Sequence, residues 1–299
     1  MPTRDRKQQA SRTWKESQDK MNWWIECGDS ASLLSLIPDA SVDAVICDPP
    51  YPEINRSYGR FSESEWHTLM RRVVSECRRI LNPTGSAVFI LQPNSERVGR
   101  MRVWLWDFMA WTAREWNQVQ DVWWWNPATP PTVHCHRQCG LMRPSVKICM
   151  WLGEPSCYRK QDAVLWPEIK ANAAVNRENR ALQRKPSGQS LRAGRCASLS
   201  DERGGVTPFN LLPFSNTDSL NSGGAYGHGA STPLSLSRWW VRYIVPSGGI
   251  VLDPFTGSGT TGIAAIEEGC HFVGIEREPD FAEIARQRLA HHSRQGRLF

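Results

Sequence analysis

The segment Val251-Leu252-Asp253-Pro254-Phe255-Thr256-Gly257-Ser258-Gly259-Thr260-Thr261-Gly262 reads as a strand, a tight turn and the start of a helix, close to the end of the chain. Gly257, Gly259 and Gly262 have the spacing of a turn that lets a nucleoside-bearing cofactor approach backbone amides, where any Cβ would stand in the way. Glu276 ends the next apolar run, at the separation of about 20 residues that suits a carboxylate accepting from ribose hydroxyls. A phosphate loop of the P-loop type is excluded, because no lysine follows the glycines. A glycine turn that only packs helix on strand is the plainer alternative, and the position of Glu276 argues against it. Only 23 residues follow Glu276, enough for one helix and a tail. The remaining strands must therefore come from the N-terminal half, so the chain is permuted around one sheet. That order disfavours an ordinary dehydrogenase.

The rest of the chain supplies those strands. Val42–Cys47 reads as a buried strand. Ser64–Leu81 has helical periodicity in Trp66, Leu69, Val73, Val74, Cys77 and Ile80, and Asn82-Pro83 stops it. Ser86–Leu91, Val119–Trp125 and Val146–Leu152 read as strands, and Val98–Trp116 as a helix. From Ser231 the pattern gives a helix through Trp239–Val245, strands at Ile250–Leu252 and Phe272–Ile275, a helix at Thr260–Glu268, and a last helix to about His291. Strands alternating with helices predict an α/β fold, a doubly wound and mostly parallel sheet covered on both faces. Residues 154–230 differ: Gly, Ser, Asn, Arg and Pro dominate, and ten basic residues stand against seven acidic ones. The expected division is a polar basic tail over 1–20, one half of the sheet over 21–153, an irregular insertion over 154–230, the cofactor half over 231–292, and a tail over 293–299.

Composition sets bounds on function. The net charge of +6 permits a polyanionic partner. No apolar run approaches the roughly 18 residues of a membrane span, and the charged N-terminus has no apolar stretch behind it, so the expectation is a cytoplasmic protein without a membrane role. Nine scattered cysteines read as reduced thiols, several in apolar runs, and not as a disulfide framework. Fifteen tryptophans are many for this length. They read first as core, with stacking on nucleic-acid bases as the sharper alternative.

Asp48-Pro49-Pro50-Tyr51 follows directly on the strand Val42–Cys47. The two prolines fix two φ angles, remove two amide donors and push the residues before them extended. A rigid turn results at the carboxyl end of the sheet, where α/β proteins bind ligands. It presents a carboxylate, free carbonyls and an aromatic ring, which suits an exocyclic amine on a base. A plain loop is the alternative for so short a motif.

Here the sequence resembles the DNA amino-methyltransferases, over Trp23–Leu91 and Ser231–Leu289. Asp48-Pro49-Pro50-Tyr51 is similar to the family's catalytic motif. Asp253, Pro254, Phe255, Thr256, Gly257, Ser258, Gly259, Thr260 and Thr261 look like its cofactor loop, Glu276 like its ribose-binding strand end, and Gly28 and Asp29 like the segment reaching the cofactor adenine. Catalytic motif first and cofactor loop last is the order of the β group, which agrees with the permutation inferred from chain length. The resemblance implies a Rossmann-like methyltransferase fold and S-adenosyl-L-methionine as cofactor. It implies double-stranded DNA as partner, with the target base flipped into the pocket. It also places target recognition in residues 154–230; their charge makes Arg177, Arg180, Arg184 and Lys185 the candidate phosphate contacts. No metal is required. One departure is Thr232-Pro233, where the family has a basic residue before the proline; the family's contact at this edge of the methionine pocket does not carry over, and Ser231, Thr232 and Leu234 are the candidates there.

Asp as the first residue of the tetrapeptide leans to adenine N6 as the methylated amine, with cytosine N4 as the alternative. A protein-glutamine or RNA amine substrate and a vestigial DNA-binding role are the further rivals. The permuted order and the basic insertion argue against the first, and intact Asp48, Tyr51, Gly257 and Glu276 against the second. A cognate restriction endonuclease and a monomeric or homodimeric state are further expectations. His134-Cys135-His136-Arg137-Gln138-Cys139 is dense in metal-ligating residue types but lacks a regularly spaced second pair, and reads as a loop near the substrate channel.

Overall fold

The computed structural model describes residues 22–56, 59–131, 139–167, 203–216 and 232–295. The chain divides into two compact units, residues 1–159 with 210–299, and residues 160–209. In the larger unit the strands are β1 (Trp23–Cys27), β2 (Val42–Cys47), β3 (Leu81–Leu91), β4 (Ser95–Arg97), β5 (Arg100–Met101), β6 (Gln118–Trp125), β7 (Val146–Gly153), β8 (Leu211–Pro213), β9 (Ile250–Asp253) and β10 (His271–Glu276). The helices are α1 (Ser30–Leu33), α2 (Glu63–Ile80), α3 (Trp104–Glu115), α4 (Leu234–Ile244), α5 (Thr260–Glu267) and α6 (Pro279–Gln295).

Eight strands form one sheet in the order β1-β10-β9-β2-β3-β7-β6-β8. The last two strands in sequence lie between the first two, so the permutation is real. All pairings are parallel except those of β7, which runs antiparallel to both β3 and β6. The expectation of a mostly parallel sheet holds, and β7 is its exception.

Local chemistry sets the helix ends. Helix α2 starts at a reciprocal cap, in which Ser62 accepts from the Glu65 amide while Glu65 accepts from the Ser62 amide. Glu63 and Glu65 sit in its first turn and Arg78 and Arg79 in its last, each complementing the helix dipole. Trp66, Met70, Val73, Val74, Cys77 and Ile80 recur at helical spacing and are buried. Strand β3 begins at Leu81, five residues before the expected Ser86, with a register shift where Gly85 passes close to Asp43; a Cβ there would lie 2.8 Å from the Asp43 carbonyl oxygen. Helix α3 begins at Trp104 and not at Val98, because Gly99 (φ 75°) turns the preceding residues into the β4–β5 hairpin.

Tryptophan divides between core and surface: Trp66, Trp104, Trp124, Trp151 and Trp240 are fully buried, whereas Trp106, Trp123 and Trp125 are exposed. Along β6 the pleat alternates, burying Val122 and Trp124 and exposing Trp123 and Trp125. Cys47, Cys77 and Cys149 are free and buried. Burial raises each thiol, Cys149 to about 12, so these sulfurs stay protonated and inert.

The expected insertion 154–230 is narrower as a compact unit. Leu211–Pro213 rejoins the main sheet as β8, and the Trp123 amide donates to the Asn210 carbonyl at 2.7 Å. In the smaller unit Trp166 and Val206 form a β-bridge and Arg203 pairs with Asp162 at 2.5 Å. Arg177, Arg180, Arg184 and Lys185 lie outside the described residues, as do Ser231 and His134–Gln138. No helix among the described residues is long and apolar enough to cross a membrane.

Candidate active site

Parallel strands end at a common edge, and here neighbouring strand ends carry the sequence motifs. Strand β9 pairs with β2 through Ala44–Val251 and Val45–Leu252, so Asp48 emerges beside the turn after Asp253. Strand β10 adds Glu276 on the other side, and the Gly28 amide donates to the Glu276 carbonyl at 2.9 Å as the chain leaves β1. A cavity of about 710 Å³ opens at this edge, within the range of small-molecule sites. Asp29, Asp48, Pro49, Pro50, Tyr51, Pro254, Phe255, Gly257 and Glu276 line it together.

The other expected residues stand behind that wall. Asp253 is buried and accepts from the Phe255 amide at 3.0 Å. Desolvation raises its carboxyl to about 7, with the nearby negative charges of Glu276 and Asp48 adding to the shift against opposing bonds from Phe255 and Thr261. The Thr256 amide donates to Ile275 (2.9 Å), tying the loop to β10. Ser258 is held by Arg288. Gly259 adopts φ 83° immediately before α5, where a side chain is strained and would also crowd Ala285. Thr260 and Thr261 are buried in the first turn of α5. Gly28 meets Leu33, where a Cβ would lie 2.9 Å from Cδ1.

The cofactor side fits a nucleoside. Glu276 accepts from the Gly257 amide at 2.8 Å through one carboxylate oxygen and from the Glu278 amide at 2.9 Å through the other. Each oxygen keeps acceptor capacity for a ribose hydroxyl. Burial raises this carboxyl above its ordinary value, opposed by those same amide bonds. Asp29 caps α1 by accepting from the Ser32 amide at 2.9 Å while also lining the cavity. Phe255, Leu69 and Phe281 give it apolar wall.

On the amine side, the prolines set Asp48 and Tyr51 so that the phenol donates to the Asp48 carboxylate. The Trp66 indole donates to the Pro50 carbonyl, and Asn94 donates to Pro52 at 2.7 Å while accepting from the Trp104 indole at 2.9 Å. Among the described residues the Pro49 carbonyl accepts nothing. The motif is therefore a clamped turn in which the Pro49 carbonyl is open to a donor. Two groups reach Asp48 that no motif announced. Thr232 donates to Asp48 Oδ2 at 3.1 Å, so the residue that departs from the family pattern touches the carboxylate of the catalytic motif. Lys147 Nζ lies 2.9 Å from the same oxygen and 3.0 Å from the Tyr51 hydroxyl. Lys147 stands at this edge because β7 is antiparallel: Ile148 pairs with Leu91 at the end of β3, so the start of β7 meets the ends of the parallel strands.

A doubly wound sheet that brings a glycine turn, a carboxylate with spare acceptor capacity and the Asp48 turn to adjoining strand ends suits a nucleoside-bearing cofactor beside an amine. The family profile described as DNA methylase matches residues 42–287, and the chain belongs to that family, the S-adenosyl-L-methionine-dependent DNA amino-methyltransferases. It is 25% identical to the type II methyltransferase M.PvuII of Proteus hauseri, over 88% of this chain and 82% of that protein. Among solved structures it is similar to the cytosine-N4-specific PvuII DNA methyltransferase, with a TM-score of 0.68 at 20% identity, covering 90% of this chain and 86% of that one. A complex of M1.HpyAVI with S-adenosylmethionine shares the fold at a TM-score of 0.55 and 18% identity, covering 89% of this chain and 98% of that one.

Proposed function

We propose that this DNA amino-methyltransferase acts on the N4 amine of cytosine in double-stranded DNA. The observation that carries this reading is the likeness, over nine-tenths of the chain, to a methyltransferase specific for cytosine N4. Adenine N6, the base expected from the sequence, stands second and is favoured by Asp at position 48.

S-adenosyl-L-methionine supplies an electrophilic methyl group, and the chain's own residues do the rest. Glu276 holds the ribose diol, and Gly257 allows the close approach. A base within a duplex cannot reach the cavity, so it is flipped out of the stack. Tyr51 lies against the flipped ring. Asp48 and the Pro49 carbonyl accept the two amine hydrogens, which draws the nitrogen lone pair out of conjugation with the ring. Transfer would break the bond between the sulfonium sulfur and the methyl carbon as the amine nitrogen takes the methyl, leaving the cofactor as its neutral thioether, and Asp48 would receive the surplus amine proton along its hydrogen bond. Positioning and fixed charge supply the rate enhancement. Sequencing DNA from cells that express the protein, with detection of modified bases, is expected to show N4-methylcytosine at one recurrent site. N6-methyladenine there would install the second reading instead.

A further inference from the structure

Lys147 enters the cavity from β7, outside every motif that the methyl-transfer reading uses. Its ammonium lies against the Tyr51 ring at 5.3 Å and the Trp124 ring at 5.0 Å, a cation held between two aromatic faces. Its side chain is only 15% exposed and that of Asp48 17%, so the pair is largely shielded from water. An ammonium carries three N–H donors. Two of them serve Asp48 and Tyr51. Among the described residues the third has no partner, and Lys147 lines the cavity.

An acceptor and a donor thus stand side by side at the amine end of the pocket. Cytosine and adenine both present the complement: an exocyclic amine donor, and beside it on the same carbon a ring-nitrogen acceptor. Guanine and thymine present the opposite polarity, a carbonyl oxygen beside a ring N–H. Such a base would set its oxygen against the Asp48 carboxylate and its N–H against the ammonium, a mismatch at both points. We infer that Lys147 is a specificity-determining residue that donates to the ring nitrogen next to the methylated amine, so that Asp48 and Lys147 together read the Watson–Crick edge of the flipped base. This inference rests on the amine-methylation reading and deepens it. A lysine that merely anchored Asp48 would be blind to the identity of that ring atom.

The test is kinetic discrimination between two duplexes carrying the site found methylated in cells. One holds the native target base and the other its deaza analogue, in which a C–H replaces that ring nitrogen: 3-deazacytosine for a cytosine target, 1-deazaadenine for an adenine target. The wild-type enzyme is expected to lose about 10- to 100-fold in kcat/KM on the analogue, the worth of a hydrogen bond to a charged donor. Lys147→Met is expected to be slower on the native duplex and to treat native base and analogue within about threefold of each other, with cofactor affinity unchanged. Taking each enzyme's own ratio cancels the altered electronics of the analogue. A wild-type enzyme indifferent to the substitution overturns the inference without any variant, and so does a Lys147→Met enzyme that keeps the wild-type ratio. An adenine target in place of cytosine would overturn the base assignment alone, and the 1-deazaadenine arm would still decide the role of Lys147.

Discussion

Asp48 gathers donors from Tyr51, Lys147 and Thr232, whereas Gly257 and Glu276 are joined to each other at the ends of β9 and β10. Asp48→Ala is therefore expected to abolish methyl transfer while leaving cofactor binding nearly intact. Radiolabelled transfer to DNA, run beside calorimetric cofactor titration, checks this; near wild-type transfer would remove Asp48 from the chemistry. Asp253 shows the opposite pattern, a carboxyl walled off from the cavity whose proton the fold holds up to about 7 by desolvation. A carboxyl raised above its unfolded value of 3.8 contributes most below that value, and the contribution is lost as pH climbs through the folded value. Asp253→Asn removes the penalty while keeping an acceptor for the Phe255 amide. Its stability relative to wild type is expected to rise by roughly 2–3 kcal/mol between about pH 5 and pH 8. Urea unfolding at both pH values measures it, and a difference that does not change with pH would refute the buried, proton-holding role.

At the scale of elements, periodicity and punctuation made most of the sheet legible: β2, α2, β6 and the β9–α5–β10 unit lie within a few residues of where the sequence places them. Strand direction was not legible. An apolar run such as Val146–Leu152 has the same pattern whether it runs with its neighbours or against them, because burial on both faces leaves no polar side to read. That is why Lys147 escaped notice: its place at the active edge follows from the reversal of β7 and not from any local motif. Thr232 was legible as an oddity, the break in the basic-Pro pattern, but its contact with Asp48 spans 184 positions and no spacing encodes it. The glycine turn was legible as strand, turn and helix, but not the division of labour among its glycines. Gly257 lines the cavity, whereas Gly262 packs α5 on β10, where a Cβ would meet the Phe272 ring at 2.5 Å and Leu289 at 2.9 Å. Gly262→Ala is expected to destabilise the fold by about 1–3 kcal/mol through overpacking. The helix propensity of Ala, favourable by about 1 kcal/mol, works the other way. A higher denaturation midpoint would mean that propensity wins and the contact relaxes.

For the whole molecule, the decisive fact is the interleaving of the two ends of the chain, β9 and β10 lying between β1 and β2. It was legible in the order of the motifs, with Asp48-Pro49-Pro50-Tyr51 early in the chain and the glycine turn late. The expectation that residues 154–230 recognise DNA rests on the family resemblance and on their charge, and Arg177, Arg180 and Arg184 lie outside the described residues. Changing Arg177, Arg180 and Arg184 together to Ala is expected to weaken duplex binding and to lower the slope of log K against log salt by about 0.9 per lost phosphate contact. Fluorescence anisotropy across a salt series reads this, and equal slopes would show that these arginines only solvate the segment. The interleaving has a thermodynamic consequence for the cofactor. Its proposed pocket takes Asp29 from the N-terminal part and Gly257 and Glu276 from the C-terminal part, so binding should stabilise the joined sheet and not one half of it. At a concentration of 100 times Kd, S-adenosyl-L-methionine is expected to add about 2.7 kcal/mol to unfolding of the larger unit, in one transition. Glu276→Ala removes charge-assisted bonds worth roughly 1.5–3 kcal/mol each to ribose hydroxyls. Affinity should fall tenfold or more, and the stabilisation at the same concentration should shrink by about 1.3 kcal/mol for the first tenfold and all but vanish beyond a hundredfold. Thermal unfolding with and without cofactor, on both proteins, tests the pocket and the interleaving together. An undiminished shift in Glu276→Ala would take the ribose away from Glu276, and a cofactor-dependent step confined to part of the larger unit would mean that the two ends of the chain do not melt as one sheet.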